Sequence, residues 1–372
     1  MKKMRVLHAI GHLSMGGAEF QCSQLANNLD SSRYDVVILC FDEGPNPDVA
    51  SHVRPIFVDR GPKWNLLSLY ERIDSIIEEE KPDVVQAWLP EVISVPAALA
   101  ARRRGIPLIS GHRNTLSCGG ELNKAVRDRL RLPQYLVADR IISNFAIDEE
   151  PFLFRWLYGR KNGSCIFNGI AVDTLRALPI KELPVRAEYR LMFAGRLAPQ
   201  KGIPTAIHAL KDLVNQGYDA HLTLFGEGPA SYVAKLQSLV DKLNLQKHVT
   251  FFGQCRDWQA YSDDAIALIF PTHGEGTSNV ILESLAVGLP VIISDIAMAR
   301  QLLTDYENAL IVDSDDPSHW VKCIKELFDS KELQVRLKHS GEQLSRTFSI
   351  ASMVCKYEAI YKSICPAKFK DG

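Results

Sequence analysis

The chain has 372 residues, more than one ordinary domain needs and a comfortable length for two. Hydrophobic residues make up 46% and charged residues 23%, the balance of a folded globular chain, and a formal net charge of -1 supplies no global field that would favour nucleic acid. The eight cysteines are scattered without a C-x-x-C pair, which argues against a zinc site or a disulfide framework and for reduced thiols in a cytosolic setting. The longest near-apolar run, Val92 to Ala101, is about half of what a bilayer-spanning helix requires. Residues 1–10 carry two lysines ahead of a short apolar run with no small-residue cleavage site, which fits a first β-strand better than a signal peptide.

In chain order, Met4 to Ile10 predicts a buried strand and Gly11 to Gly17 a loop with three glycines. Ala18, Cys22, Leu25, Ala26 and Leu29 then fall on one helical face. Tyr34 to Cys40, Asp83 to Ala87, Ile106 to Ser110 and Arg140 to Ser143 predict further strands, with helical stretches between them. Periodicity lapses between Val172 and Glu188, where Pro179 and Pro184 interrupt a mixed charged stretch. Strands resume at Tyr189 to Ala194, Ala220 to Phe225, His248 to Phe252, Ala265 to Phe270, Pro290 to Ser294 and Ala309 to Val312. Met353, Tyr357, Ile360, Tyr361 and Ile364 give the last stretch, Ser349 to Ile364, a helical face. Such alternation implies two doubly wound α/β domains in tandem, each with a parallel sheet covered on both faces. Because ligands bind beyond the carboxyl ends of such strands, the expected site is an interdomain cleft.

Three segments at strand ends carry chemistry. Gly195-Arg196-Leu-Ala-Pro-Gln-Lys201-Gly202 follows a strand and precedes a helix; its arginine and lysine suit a diphosphate, bidentately and as a point charge. His273-Gly274-Glu275-Gly276-Thr277-Ser278-Asn279 opens a helix that contains Glu283. Thr277 or Ser278 can cap that helix, whose first-turn N–H groups form an anion site. Glu283, among Ile281, Leu282, Leu285 and Ala286, needs a polar partner. Gly16 and Gly17 in the first loop would let backbone approach a phosphate, although the G-x-G-x-x-G fingerprint of dinucleotide folds is absent. Gly226-Glu-Gly228-Pro reads as the close of a strand and the start of a helix.

Other features are less specific. His112 and Arg113 follow the strand ending at Ser110, again at a carboxyl end facing the expected cleft, where a lone histidine is either a structural or a functional residue. Asp313-Ser-Asp315-Asp316-Pro317 spells D-x-D, but Asp316 before Pro317 is a good N-cap, and no metal site is expected. Residues 102–131 hold eight Lys/Arg against two acids, an expected face for anionic lipid or a solvated helix surface.

Taken together, these residues make the sequence resemble the family 4 (group 1) glycosyltransferases of the GT-B fold over nearly its whole length. The matching pieces are Gly16-Gly17-Ala18-Glu19, Phe167-Asn168-Gly169-Ile170, Gly195-Arg196 to Lys201-Gly202, Phe225 to Pro229, Phe252-Gly253 and the E-x7-E spacing of Glu275 and Glu283. The resemblance implies two Rossmann-like domains, 1–172 on the acceptor side and 188–348 binding nucleotide-sugar. A linker at 173–187 would join them, and a final helix within 349–372 would cross back. It implies retaining transfer from a nucleotide-diphosphate sugar, UDP-linked in preference to GDP-linked, without a metal cofactor. Arg196 and Lys201 would hold the diphosphate, Glu275 the sugar hydroxyls, Glu283 the ribose, and Gly276 to Asn279 the rest of the donor. Gly16 and Gly17 would approach the phosphates. His112 matches a histidine near the reacting centre, within a Ser-Gly-His-Arg-Asn sequence that departs from the commoner pattern, and His112 and Arg113 would lie on the acceptor side. The expected acceptor is a glycan, lipid-linked, in cell-surface polysaccharide assembly. The rival readings are a Rossmann-type oxidoreductase and a non-catalytic GT-B binding subunit.

Overall fold

The structure is a computed structural model that describes residues 3–13, 16–41, 49–59, 65–113, 132–148, 150–183, 185–313 and 316–368. The chain divides into two compact units, Met1–Gly169 with Ile350–Gly372, and Ile170–Ser349.

The first unit contains β1 (Met4–Ala9), β2 (Tyr34–Cys40), β3 (Val53–Phe57), β4 (Val84–Ala87), β5 (Leu108–His112), β6 (Arg140–Ser143) and β7 (Ser164–Cys165). They form one parallel sheet in the order β3-β2-β1-β4-β5-β6-β7. Helices α1 (Gly17–Asn28), α2 (Leu66–Glu80), α3 (Ser94–Arg103) and α4 (Phe152–Arg160) connect or cover it. Alternate side chains of a strand point to opposite faces, and both faces are buried. Met4, Val6, Val36 and Ile38 pack with Cys22 and Leu25 of α1, whereas Leu7, Ala9, Val37 and Leu39 pack with Ile73 and Ile77 of α2 and Ala97 of α3.

The second unit contains β8 (Tyr189–Ala194), β9 (Ala220–Phe225), β10 (Val249–Gly253), β11 (Ala267–Phe270), β12 (Val291–Ser294) and β13 (Leu310–Val312), parallel in the order β10-β9-β8-β11-β12-β13. Its helices are α5 (Val172–Arg176), α6 (Ile203–Asn215), α7 (Ala230–Lys242), α8 (Asn279–Ala286), α9 (Ala297–Leu302), α10 (Pro317–Asp329) and α11 (Lys331–Ser345). The pair α6 and α10 pack together, as do α8 and α11.

The last helix, α12 (Ile350–Ile364), belongs to the first unit. There it buries Met353, Tyr357 and Tyr361 against α1 and the sheet, and the Tyr361 hydroxyl donates to Gln86 Oε1 at 2.6 Å. The stretch 173–187, expected as a linker, lies wholly within the second unit. Its first residues form α5, whose Leu175 packs against Leu282 and Ala286, and its later part is tied down by Lys181 on Asp257 and by Leu183 N–H donating to Asp264. The units instead divide at Gly169–Ile170 and Ser349–Ile350, where Ile170 N–H donates to Phe348 O at 2.8 Å. Among the described residues, no helix is long and apolar enough to cross a membrane.

Candidate active site

In the second unit the strand order reverses between β8 and β11, the switch point at which open α/β sheets bind ligands. Two loops meet there. The loop after β8 makes a turn at Pro199–Lys201 and reaches Gly202, whose φ of 60° favours glycine. A Cβ at Gly202 would lie 1.8 Å from Pro271 O, so glycine lets this turn press against the exit of β11. Backbone bonds fix the contact: His273 N–H donates to Gln200 O at 2.9 Å, and Gln200 Nε2 donates to Gly274 O at 2.5 Å.

That packing brings Lys201 onto Glu275. The ammonium bonds to Glu275 Oε1, the two side chains are only 13% and 14% exposed, and Thr272 Oγ1 donates to the same oxygen at 3.0 Å. Lys201 also lies 4.9 Å from the centre of the Phe270 ring. Charges this enclosed are costly to separate unless a ligand replaces each partner. Arg196, on the same loop, is exposed and makes no hydrogen bond or ion pair among the described residues.

Glu283 lies apart from this pair, in the second turn of α8. Its Oε2 accepts from Trp258 Nε1 at 3.2 Å and Gln259 Nε2 at 2.6 Å. Burial pushes its pKa above the ordinary glutamate value, and the two donated bonds partly oppose that shift. Trp258, Gln259, Thr272 and Gln200 were not singled out from the sequence: Trp258, Gln259 and Gln200 act across segments distant along the chain, and Thr272, three residues before Glu275, carries no motif of its own. Ser278 occupies the N-cap position of α8, one of the two residues expected there, but without the side-chain cap bond. Its backbone is extended, as at other N-caps, and its carbonyl accepts the first intrahelical bond from Leu282 N–H at 3.3 Å. Thr277 and Ser278 are buried, Gly276 is buried beside them, and Asn279 is the first helical residue.

In the first unit the switch point falls between β1 and β4. Gly16 caps α1 and Gly17 begins it, and a Cβ at Gly16 would lie 2.1 Å from Glu19 Oε2. Gly11 N–H donates to Glu91 Oε2 at 2.9 Å, tying the first loop to the exit of β4. His112 is the last residue of β5 and not part of the following loop, because β5 begins two residues later than expected and runs through Gly111. It is buried among Phe154, Phe145 and Tyr135, with ring centres 4.2, 5.2 and 5.7 Å away. Its Nδ1 is 2.9 Å from the Tyr135 hydroxyl and its Nε2 is 3.7 Å from Glu150 Oε2.

Arg113, expected on the acceptor side, is buried with its guanidinium engaged inside the first unit. It donates to Asn168 Oδ1 at 3.1 Å and to the Tyr357 hydroxyl at 2.6 Å, and stacks 4.0 Å above the Trp88 ring. Nearby, burial and the Arg113 charge push the His8 imidazole down to about 3, so neutral His8 accepts from Trp88 Nε1 at 3.0 Å.

Of the basic stretch 102–131, the described arginines at its start are paired with acids. Arg102 lies 3.8 Å from Asp139, Arg103 3.2 Å from Asp74, and Arg104 2.8 Å from Asp74 and 3.1 Å from Glu78. Residues 114–131 lie outside the described residues, as do Ser314 and Asp315 of the D-x-D spelling. Asp316 caps α10 by accepting from Ser318 N–H at 2.9 Å, with Pro317 at the first helical position.

Comparison with known proteins agrees with this arrangement. Residues 179–344 match the family described as "Glycosyl transferases group 1", and residues 15–170 match "Glycosyltransferase Family 4". The chain is 22% identical over 380 aligned positions to the UDP-Gal:alpha-D-GlcNAc-diphosphoundecaprenol alpha-1,3-galactosyltransferase of Escherichia coli, covering 96% of this chain and 97% of that one. It is 26% identical to the lipopolysaccharide core biosynthesis glycosyltransferase LpsE of Rhizobium meliloti, covering 79% and 77%. Among solved structures it is similar to Anabaena HepE in complex with UDP and glucose, with a TM-score of 0.78, 18% identity, and coverage of 97% of this chain and 100% of that one. Two parallel doubly wound sheets, the paired family matches and these relatives agree: the chain belongs to the family 4, group 1 glycosyltransferases and is a glycosyltransferase of the GT-B fold.

Proposed function

We propose that this glycosyltransferase moves a sugar, with retention of configuration, from a UDP-sugar to a hydroxyl of a lipid-linked glycan in cell-surface polysaccharide assembly. The observation that carries the donor side is the enclosed Lys201–Glu275 pair at the switch point of the second sheet. On donor binding, the lysine turns to the diphosphate and Glu275 accepts from sugar hydroxyls, so each charge keeps a partner. Arg196 is available as the second cation, and Glu283, held by Trp258 and Gln259, takes the ribose.

The bond from the anomeric carbon to the diphosphate oxygen breaks, and one to the acceptor oxygen forms on the same face. The leaving phosphate takes the acceptor's proton. Lys201, Arg196 and the first turn of α8 stabilise the negative end, and each such preorganised donor contributes about 2.7–4 kcal/mol to the transition state. Two cations at the diphosphate supply the charge that a divalent metal supplies elsewhere. A UDP- rather than GDP-linked donor is supported by the UDP bound to HepE and the UDP-Gal named for the E. coli relative. The diphosphoundecaprenol in that relative's name, and the lipopolysaccharide core in the name of LpsE, support the acceptor class.

The test is a screen of UDP- and GDP-sugars against a polyprenyl-diphosphate-linked sugar acceptor, with and without EDTA. We expect an NMR-assigned product with the donor's anomeric configuration and a rate unchanged by EDTA. An inverted anomer would overturn the retaining mechanism. Loss of activity in EDTA with restoration by manganese would overturn the metal-free reading.

A further inference from the structure

The carboxylate of Glu283 is held unevenly. Both donors that reach it, Trp258 Nε1 and Gln259 Nε2, bond to Oε2, and among the described residues Oε1 accepts from none. Oε1 is not sealed off either, since Glu283 is only partly buried. Trp258 and Gln259 are buried, and Gln259 Oε1 accepts no bond among the described residues. Turning the amide over would set that oxygen against the Glu283 carboxylate, so the nitrogen is the atom that faces it. A methionine would fill the same space without stranding an acceptor. The amide is therefore explained by the carboxylate it donates to, not by packing.

The turn at Trp258–Asp264, which carries both donors, is fixed from its other side. Lys181 N–H donates to Ala260 O at 2.8 Å, the Lys181 ammonium bonds to Asp257, and Leu183 N–H donates to Asp264 Oδ2 at 3.0 Å. The same stretch of chain reaches α8, where Leu175 packs on Leu282 and Ala286, and Arg176 Nε donates to Ala286 O at 2.8 Å. Residues 175–183 thus strap the donor turn and the carboxylate helix together, so the hold on Glu283 is built into the fold.

We infer that Gln259, assisted by Trp258, is a positioning residue that gives the donor site its preference for a ribonucleotide. A glutamate carboxylate rotates readily about its last side-chain torsion unless it is held. With Oε2 committed to two donors, Oε1 is the oxygen left to accept from the ribose hydroxyls, through charge-assisted bonds. The two donated bonds also oppose the upward pull of burial on the Glu283 pKa and favour the ionised form, which accepts without donating. A nucleotide without those hydroxyls leaves Oε1 with no partner. The inference rests on Glu283 as the ribose contact and adds what makes that contact selective.

The test is calorimetric titration of the full chain with UDP and with 2′,3′-dideoxyuridine diphosphate. We expect the wild type to bind UDP at least about tenfold more tightly than the dideoxy nucleotide, and Gln259→Met to bring the two within about threefold by weakening UDP alone. Trp258→Phe, which removes the other donor and keeps a ring in place, should narrow the preference in the same direction. Glu283→Gln should lose the preference, and adding Gln259→Met to it should change nothing more. If both donor variants keep the wild-type preference, or weaken the two nucleotides alike, the inference is overturned while the ribose role of Glu283 stands. If Glu283→Gln keeps the preference, that role fails and the inference fails with it.

Discussion

Lys201 and Glu275 satisfy each other in the structure, whereas Glu283 is held by neutral donors and no cation. That difference gives them different consequences for stability. Burial raises the pKa of Glu283, so its ionised form is the disfavoured one in the fold. A group of this kind contributes most below its unfolded pKa, and the contribution is lost as pH rises through the folded value. Glu283→Gln, whose side-chain oxygen can still accept from Gln259, should therefore be at least as stable as the wild type at pH 7–8. Its advantage should fade as pH falls through the glutamate range, while donor binding weakens. Melting curves across that range check this, and a variant destabilised at neutral pH would contradict it. The residue scale is also where the sequence was least informative. The spacing of Glu275 and Glu283 and the candidacy of Lys201 were legible, but the Lys201–Glu275 pairing and the hold of Trp258 and Gln259 on Glu283 join segments 24 to 74 residues apart and leave no local pattern.

Among elements, the turn at Pro199–Gly202 contributes most to the site. Gly202→Ala would place a side chain on a left-handed residue and against Pro271 O, with nothing flexible to yield. We expect a stability loss of roughly 1–3 kcal/mol in urea unfolding, together with weakened UDP binding as Lys201 is displaced from Glu275. Wild-type stability and binding would show that the turn does not set the pair. Elements buried on both faces were the easiest to read: Tyr34–Cys40, Tyr189–Ala194 and Ala220–Phe225 form as expected, short and largely apolar segments between helical stretches. The strand Val53–Phe57 was not expected, since Pro55 interrupts it and its side chains are only partly buried. It lies at the sheet edge, where a missing N–H costs no ladder bond. The two-residue strand Ser164–Cys165, at the other edge, is too short to leave a pattern.

At the scale of the whole molecule, two doubly wound units were legible from strand–helix alternation. A proline-containing charged stretch looked like a linker, yet residues 173–183 are held by contacts to Asp257, Asp264 and Ala286 that only the folded chain brings together. Arg113 is a similar case: its place after a strand matched a substrate-facing cation, while the fold engages it with Trp88, Asn168 and Tyr357 of α12. The central claim is that the second unit binds the nucleotide donor through Lys201 and Glu275. Calorimetric titration of UDP into the wild type and Lys201→Ala tests it most directly. The account predicts saturable binding by the wild type and binding about 10- to 100-fold weaker in the folded variant, the ~1.5–3 kcal/mol of a hydrogen bond to a charged group. Equal affinity in the two proteins, or no binding of UDP by the wild type, would contradict it.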